Sequence, residues 1–154
     1  MITAHVVYAT ITGNNEDIAD IVTEALEDAD VQVEETEISQ TDPSVFEDVD
    51  ICVVCPYTYD EGALPEEGMD FYDDLSELDL KGKIFGVAGS GDVFYEEFYN
   101  TSVDKFEEAF EKTGATKGSE SIKINLEPDE KDIEKLDQFT ACLLYTSDAA
   151  DDKA

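Results

Sequence analysis

The chain has 154 residues, with 9 Lys plus Arg against 40 Asp plus Glu, for a formal net charge of −31. Phosphate backbones and anionic lipids are held by clustered basic side chains, so this balance excludes nucleic acid and membrane surfaces as partners. At 42% hydrophobic and 10% aromatic, the composition is too apolar for a disordered acidic tail and points to one folded domain.

In chain order, His5-Val6-Val7-Tyr8 is a short apolar run expected as a buried strand. It stops at Thr10-Ile11-Thr12-Gly13-Asn14-Asn15, which is turn and cap chemistry. From Glu16, residues Ile18, Ile21, Val22, Ala25 and Leu26 recur at the spacing of one helix face. Val31 to Ile38 alternates apolar and charged residues and suits a strand at the edge of a sheet. Asp42-Pro43 reads as an N-cap with proline at the first helical position, opening a short helix through Val45, Phe46 and Val49.

Ile51-Cys52-Val53-Val54-Cys55 contains no charged residue, as expected for a strand covered on both faces in a parallel sheet. Beyond Pro65, helical spacing is kept by Met69, Tyr72, Leu75 and Leu78. Ile84-Phe85-Gly86-Val87-Ala88 is a second fully apolar strand, running into Gly89-Ser90-Gly91-Asp92. Val103, Phe106 and Phe110 form another helix face, closed by Gly114 as a C-cap. Ser121 to Ile124 is expected as a fifth strand, and Ile133, Leu136, Phe139 and Leu143 as the buried face of a last helix. Tyr145 to Ala154 has no helical apolar face and is expected as a disordered or foreign tail, leaving residues 1–144 as the domain.

Strands alternating with helices imply an α/β fold: a doubly wound, five-stranded parallel sheet in the order 2-1-3-4-5. In that order the first and third strands diverge at a switch point, and ligands bind beyond their carboxyl ends. The segments after Tyr8, Cys55 and Gly89 are therefore where function is expected.

The first of these segments offers hydroxyl, amide and backbone donors at a helix N-terminus, which favours an anion. It lacks the lysine of a nucleotide-binding P-loop, and plain helix capping is the competing reading, supported by Glu16 and Asp17 in the first turn. The second, Pro56-Tyr57-Thr58-Tyr59-Asp60-Glu61-Gly62, places two rings at a strand exit, where they suit stacking on a planar ligand. The third, Ser90-Gly91-Asp92-Val93-Phe94-Tyr95, repeats the arrangement. A phosphate-accepting receiver domain needs acids where Thr10 and Pro56 stand.

These three motifs, Thr-x-Thr-Gly-x-Asn at 10–15, Tyr-Thr-Tyr at 57–59 and Ser-Gly-Asp-x-x-Tyr at 90–95, resemble those of short-chain flavodoxins in order and spacing. The resemblance spans roughly residues 2–142, and the stretch from Gly118 to Leu126 has no room for the insertion of the long-chain members. It implies a flavodoxin-like three-layer sandwich holding one FMN noncovalently. Thr10, Ile11, Thr12, Gly13, Asn14 and Asn15 would hold the phosphate. Tyr57, Thr58, Tyr59 and Asp60 would lie along the ribityl side and inner face of the flavin. Tyr95 would stack on the outer face, and Ser90, Gly91 and Asp92 would contact the pyrimidine edge. The family usually has Gly directly after the second aromatic of the 57–59 motif, where a peptide must flip; here Asp60 occupies that position, which implies a less stabilised one-electron-reduced flavin.

The function implied is a low-potential one-electron carrier, not an enzyme, working with basic redox partners such as flavodoxin or ferredoxin reductases, as a monomer. Two alternatives share the fold: an activator of ribonucleotide reductase, and an interaction module without ligand. Asp60, Glu61, Glu66, Glu67, Asp92, Glu96 and Glu97 are expected near the flavin edge, where each carboxylate ~10 Å away would cost roughly 0.4–0.8 kcal/mol on reduction. The helix from Asp20 to Asp30 is as acidic as the loops, which suggests solubility in a saline environment as a second reason for the charge.

No apolar run reaches the ~20 residues of a membrane span, and Met1-Ile2-Thr3-Ala4 lacks the features of a signal peptide, so a cytoplasmic location is expected. Cys52, Cys55 and Cys142 suit a reducing compartment. In a strand, Cys52 and Cys55 point to opposite faces and cannot share a metal or a disulfide. His5, the sole histidine, is expected to be structural.

Overall fold

The computed structural model describes residues 2–8, 14–55, 66–91, 101–119, 121–125 and 129–152. Its strands are β1 (Thr3–Tyr8), β2 (Gln32–Glu37), β3 (Ile51–Cys55), β4 (Ile84–Gly91), β5 (Thr116–Lys117) and β6 (Ile122–Asn125). Its helices are α1 (Asn14–Asp28), α2 (Glu66–Leu75), α3 (Thr101–Lys112) and α4 (Glu130–Asp152). All strand pairs are parallel and the order is β2-β1-β3-β4-β5, with β6 also on β4. This is the doubly wound sheet the alternation of elements requires.

The apolar run of β3 is buried at every position, because β3 lies between β1 and β4 and is covered on both faces. β2 is the edge strand, and its charged alternation leaves Gln32 and Glu34 in water. The Asp42 side chain caps the segment Pro43–Asp48, accepting from the Ser44 N–H at 2.9 Å; the segment is a 3₁₀ helix with Phe46 buried beneath it. Gly114, at φ +85°, follows α3 and turns the chain toward β5.

Two cores flank the sheet. One face collects Ala4, Val6, Ile18, Val22, Leu26, Ile51, Val53 and Cys55 with Leu136, Phe139 and Leu143 of α4. The other collects Val7, Phe46, Cys52, Val54, Phe71, Leu75, Phe85, Val87, Phe106 and Phe110. Cys52 and Cys55 thus lie on opposite faces, as strand geometry demands, and both are free thiols. His5 faces the second core, where its Nε2 is 2.8 Å from the Thr36 hydroxyl and its ring meets Phe46 edge-on at 6.2 Å.

Several expectations are corrected. The fifth position of the sheet is shared by β5 and β6 rather than filled by one strand over 121–124. Between them the chain is pinched at Gly118, where a Cβ would meet Ile84 Cγ2 at 2.5 Å and Leu143 Cδ2 at 2.7 Å. Leu78 lies past the end of α2, and Phe71 takes the buried place on that helix. Ile133 is 40% exposed, so the buried face of α4 begins at Leu136. Apart from these corrections, α4 continues to Asp152, over the segment set apart from residues 1–144 as a tail. Backbone hydrogen bonds extend a helix without an apolar face, and Thr146 donates to the Gly118 carbonyl at 3.1 Å, tethering α4 to the pinch.

Candidate functional site

The switch point follows from where each helix packs. β1 and β3 are neighbours, Tyr8 standing opposite Cys55 at their carboxyl ends. The helix after β1, α1, covers one face together with α4, whereas α2, after β3, covers the other together with α3. The two connections therefore leave adjacent strands in opposite directions, which opens a crevice between them.

Two described elements border it. α1 begins at Asn14 and presents its N-terminus there, with Glu16 and Asp17 in its first turn. The fifteen-residue helix carries a positive dipole end, and the N–H groups of its first turn have no partner within the helix. On the other side, the β3–β4 ladder ends at Val54–Val87, and β4 continues through Ala88–Gly91 paired with β6. That overhang leaves the opposite edge of Gly89, Ser90 and Gly91 without a strand partner among the described residues, so their peptide groups can meet a polar ligand edge.

Of the residues singled out from the sequence, Asn14 and Asn15 open α1, and Ser90 and Gly91 close β4, at the two borders of the crevice. Thr10, Ile11, Thr12, Gly13, Tyr57, Thr58, Tyr59, Asp60, Asp92 and Tyr95 lie outside the described residues, as do Glu61, Glu96 and Glu97. Glu66 and Glu67 begin α2.

Below the crevice on the α1 side is an acidic cluster that pattern reading overlooked. Burial and a hydrogen bond with Asp20 push the Glu35 carboxyl up to about 7, and Glu16 adds to the effect. Burial likewise raises the Tyr8 phenol, reinforced by Glu16, Glu35, Glu37 and Asp20. The signal was present but split between two elements: Glu35 shares the inward parity of Val33, and Asp20 lies one turn after Glu16. Burial also holds both Cys52 and Cys55 thiols well above their usual range, which makes them poor nucleophiles. His5 stays neutral at pH 7 because burial lowers its pKa against a smaller opposing pull from Glu34. The described part of the crevice is thus bordered by a helix N-terminus and an open peptide edge, with Glu16, Asp20 and Glu35 clustered on the α1 side.

The Flavodoxin family model matches residues 6–138. The chain belongs to the flavodoxin family. It is 36% identical to "Probable flavodoxin 2" of Bacillus subtilis over 134 residues, 86% of this chain and 88% of that one. Among solved structures, a short-chain flavodoxin associated with a non-canonical PDU bacterial microcompartment superposes with a TM-score of 0.94 at 61% identity, covering 96% of this chain and 99% of its own. The flavodoxin of Streptococcus pneumonia superposes with a TM-score of 0.91 at 49% identity, covering 94% and 99%. The β5–β6 region thus belongs to a flavodoxin of the compact kind, in which a short connection bridges the two halves of the fifth position. Among the described residues no helix is long and apolar enough to cross a membrane.

Proposed function

We propose that this flavodoxin holds one FMN noncovalently in the crevice and works as a low-potential, one-electron carrier between basic redox proteins in the cytoplasm, as a monomer and without group-transfer chemistry of its own. The observation that carries this reading is the pairing of an anion-favouring α1 N-terminus with the overhanging peptide edge of β4 across the β1–β3 switch point. These are the two fixed borders that a phosphate-ended planar ligand needs. FMN supplies the one-electron chemistry when bound.

The chain's own residues do the rest. Backbone donors from Thr10 through Asn15 bind the phosphate, and Tyr59 and Tyr95 stack on the ring system and shield it from water. Asp92, with the peptides of Ser90 and Gly91, orients its polar edge. The acids gathered at that end disfavour negative charge on the reduced ring and so lower the potential, while they attract a basic partner. The binding unit is residues 1–144, and 145–154 contributes no residue to the site.

Adding FMN to the apoprotein should quench flavin fluorescence to a one-to-one endpoint, and a redox titration should then resolve two one-electron steps, the second at low potential. A chain that stays colourless and leaves flavin fluorescence unchanged would overturn the proposal. Merged steps at a higher potential would favour the activator of ribonucleotide reductase instead.

A further inference from the structure

We propose that the groove between α1 and α4 docks a basic amphipathic helix of a partner protein, at a place separate from the crevice. The groove has a volume of about 580 Å³ and is lined from α1 by Ile21, Ala25 and their neighbours and from α4 by Ile133, Ala141 and Leu144. On α4 these residues follow a stripe beside the core-facing one. Leu136, Phe139 and Leu143 are buried against the sheet, whereas Ile133 and Ala141 face outward. Among the described residues the exposed large hydrophobic side chains are Ile133, at 40%, and Tyr145, at 77%, and both lie on α4. With Ile133 and Ala141 exposed and Ile21, Ala25 and Leu144 half-buried, the groove keeps an apolar floor in partial contact with water, a cost that a partner would relieve.

Charge selects the occupant. Glu24 and Asp28 line the groove from α1 and Asp137 from α4, and no lysine is among the described lining residues. An apolar floor between two acidic rims matches a helix with one apolar face flanked by Lys or Arg, the helix-in-groove mode of recognition. A second copy of this chain would bring acids against acids, and an anionic membrane would be repelled. The groove lies along the later turns of α1, away from the Asn14 end that borders the crevice. A partner docked there leaves the crevice open, so the surface suits tethering rather than electron transfer.

The test uses the ¹⁵N-labelled full chain and a synthetic Leu/Lys peptide designed as an amphipathic helix, with a scrambled peptide of equal composition as control. Saturable amide shifts confined to α1 and α4, absent with the scrambled peptide, are the expected result. Ile133→Glu and Ala141→Arg, both at exposed positions, should each weaken binding by about tenfold, the size of one lost interface anchor. The combined Glu24→Gln, Asp28→Asn, Asp137→Asn variant should flatten its salt dependence. Equal binding of the scrambled peptide, shifts centred on another face, or no saturable shifts at millimolar peptide would each overturn the proposal. So would sedimentation showing that the chain dimerises through this face.

Discussion

The two faces of the sheet solve the same packing problem in different ways. On the α2/α3 face the volume is filled by rings: Phe85 stacks on Phe110 at 4.8 Å, and Phe46, Phe71 and Phe106 join through tilted and edge-on contacts. On the α1/α4 face the fill is mostly aliphatic, and α4 presses onto the sheet so closely that β4 must be bare beneath it. A Cβ on Gly86 would meet the Phe139 ring at 2.5 Å and Leu143 at 2.9 Å. One strand encodes both solutions through its alternation. Ile84, Gly86 and Ala88 face α4, while Phe85 and Val87 face the rings. Small residues admit a helix and large ones hold the opposite helices off, so helix height over a sheet is set position by position.

The largest effect should come from removing a ring. Phe110→Ala deletes a fully buried side chain that touches both Phe85 and Phe46 and should cost about 3–5 kcal/mol, read from the urea midpoint. If that face repacked as easily as an aliphatic one, the loss would fall below this range and the contrast between the faces would fail. Gly86→Ala tests the other side, where overpacking under α4 should cost about 1–3 kcal/mol. A neutral result would mean that Phe139 and Leu143 can withdraw and that the close approach is not required.

The faces also differ in the sign of their pH dependence. The folded-state pKa of Glu35 is raised from 4.5 to about 7, so its contribution to stability is full below 4.5 and is lost as pH rises through 7. His5, beside the aromatic face, has a lowered pKa, so its contribution is present above its ordinary 6.5 and is lost on acidification through the folded value. Glu35→Gln should therefore raise stability at pH 8 relative to pH 5 by about 1 kcal/mol, discounted for the partial exposure of the carboxyl. Melting profiles against pH check this, and a profile unchanged by Glu35→Gln would remove the burial of Glu35 and its hydrogen bond with Asp20 from the account. The last test is at Asp60, outside the described residues. Asp60→Gly should ease a peptide rotation by about 1 kcal/mol, roughly 40 mV on a one-electron couple, seen as a larger one-electron-reduced fraction in a redox titration. An unchanged fraction would show that Asp60 adopts the required conformation without strain.

Much of this was legible beforehand, and particular residues show why. The uninterrupted run at Ile51–Cys55 could only be a doubly covered strand, and Asp42-Pro43 could only begin a turn of helix, because both depend on local chemistry. The borders of the crevice, from Asn14 on one side to Gly91 on the other, were found because turn residues after apolar strands mark strand ends. Ile133 was misplaced because helical spacing finds an apolar stripe but does not say where the neighbouring layer stops.

By itself, then, the sequence determined the kind and order of the elements, the parallel sheet and the family motifs at the strand ends, since each rests on contacts between near neighbours in the chain. Only the tertiary structure decided the pairing of Glu35 with Asp20, the bare seats at Gly86 and Gly118, the division of the fifth position and the open groove beside Ile133. Each of these depends on how close two elements distant in sequence come to lie, and that distance is set by the packing of the whole core.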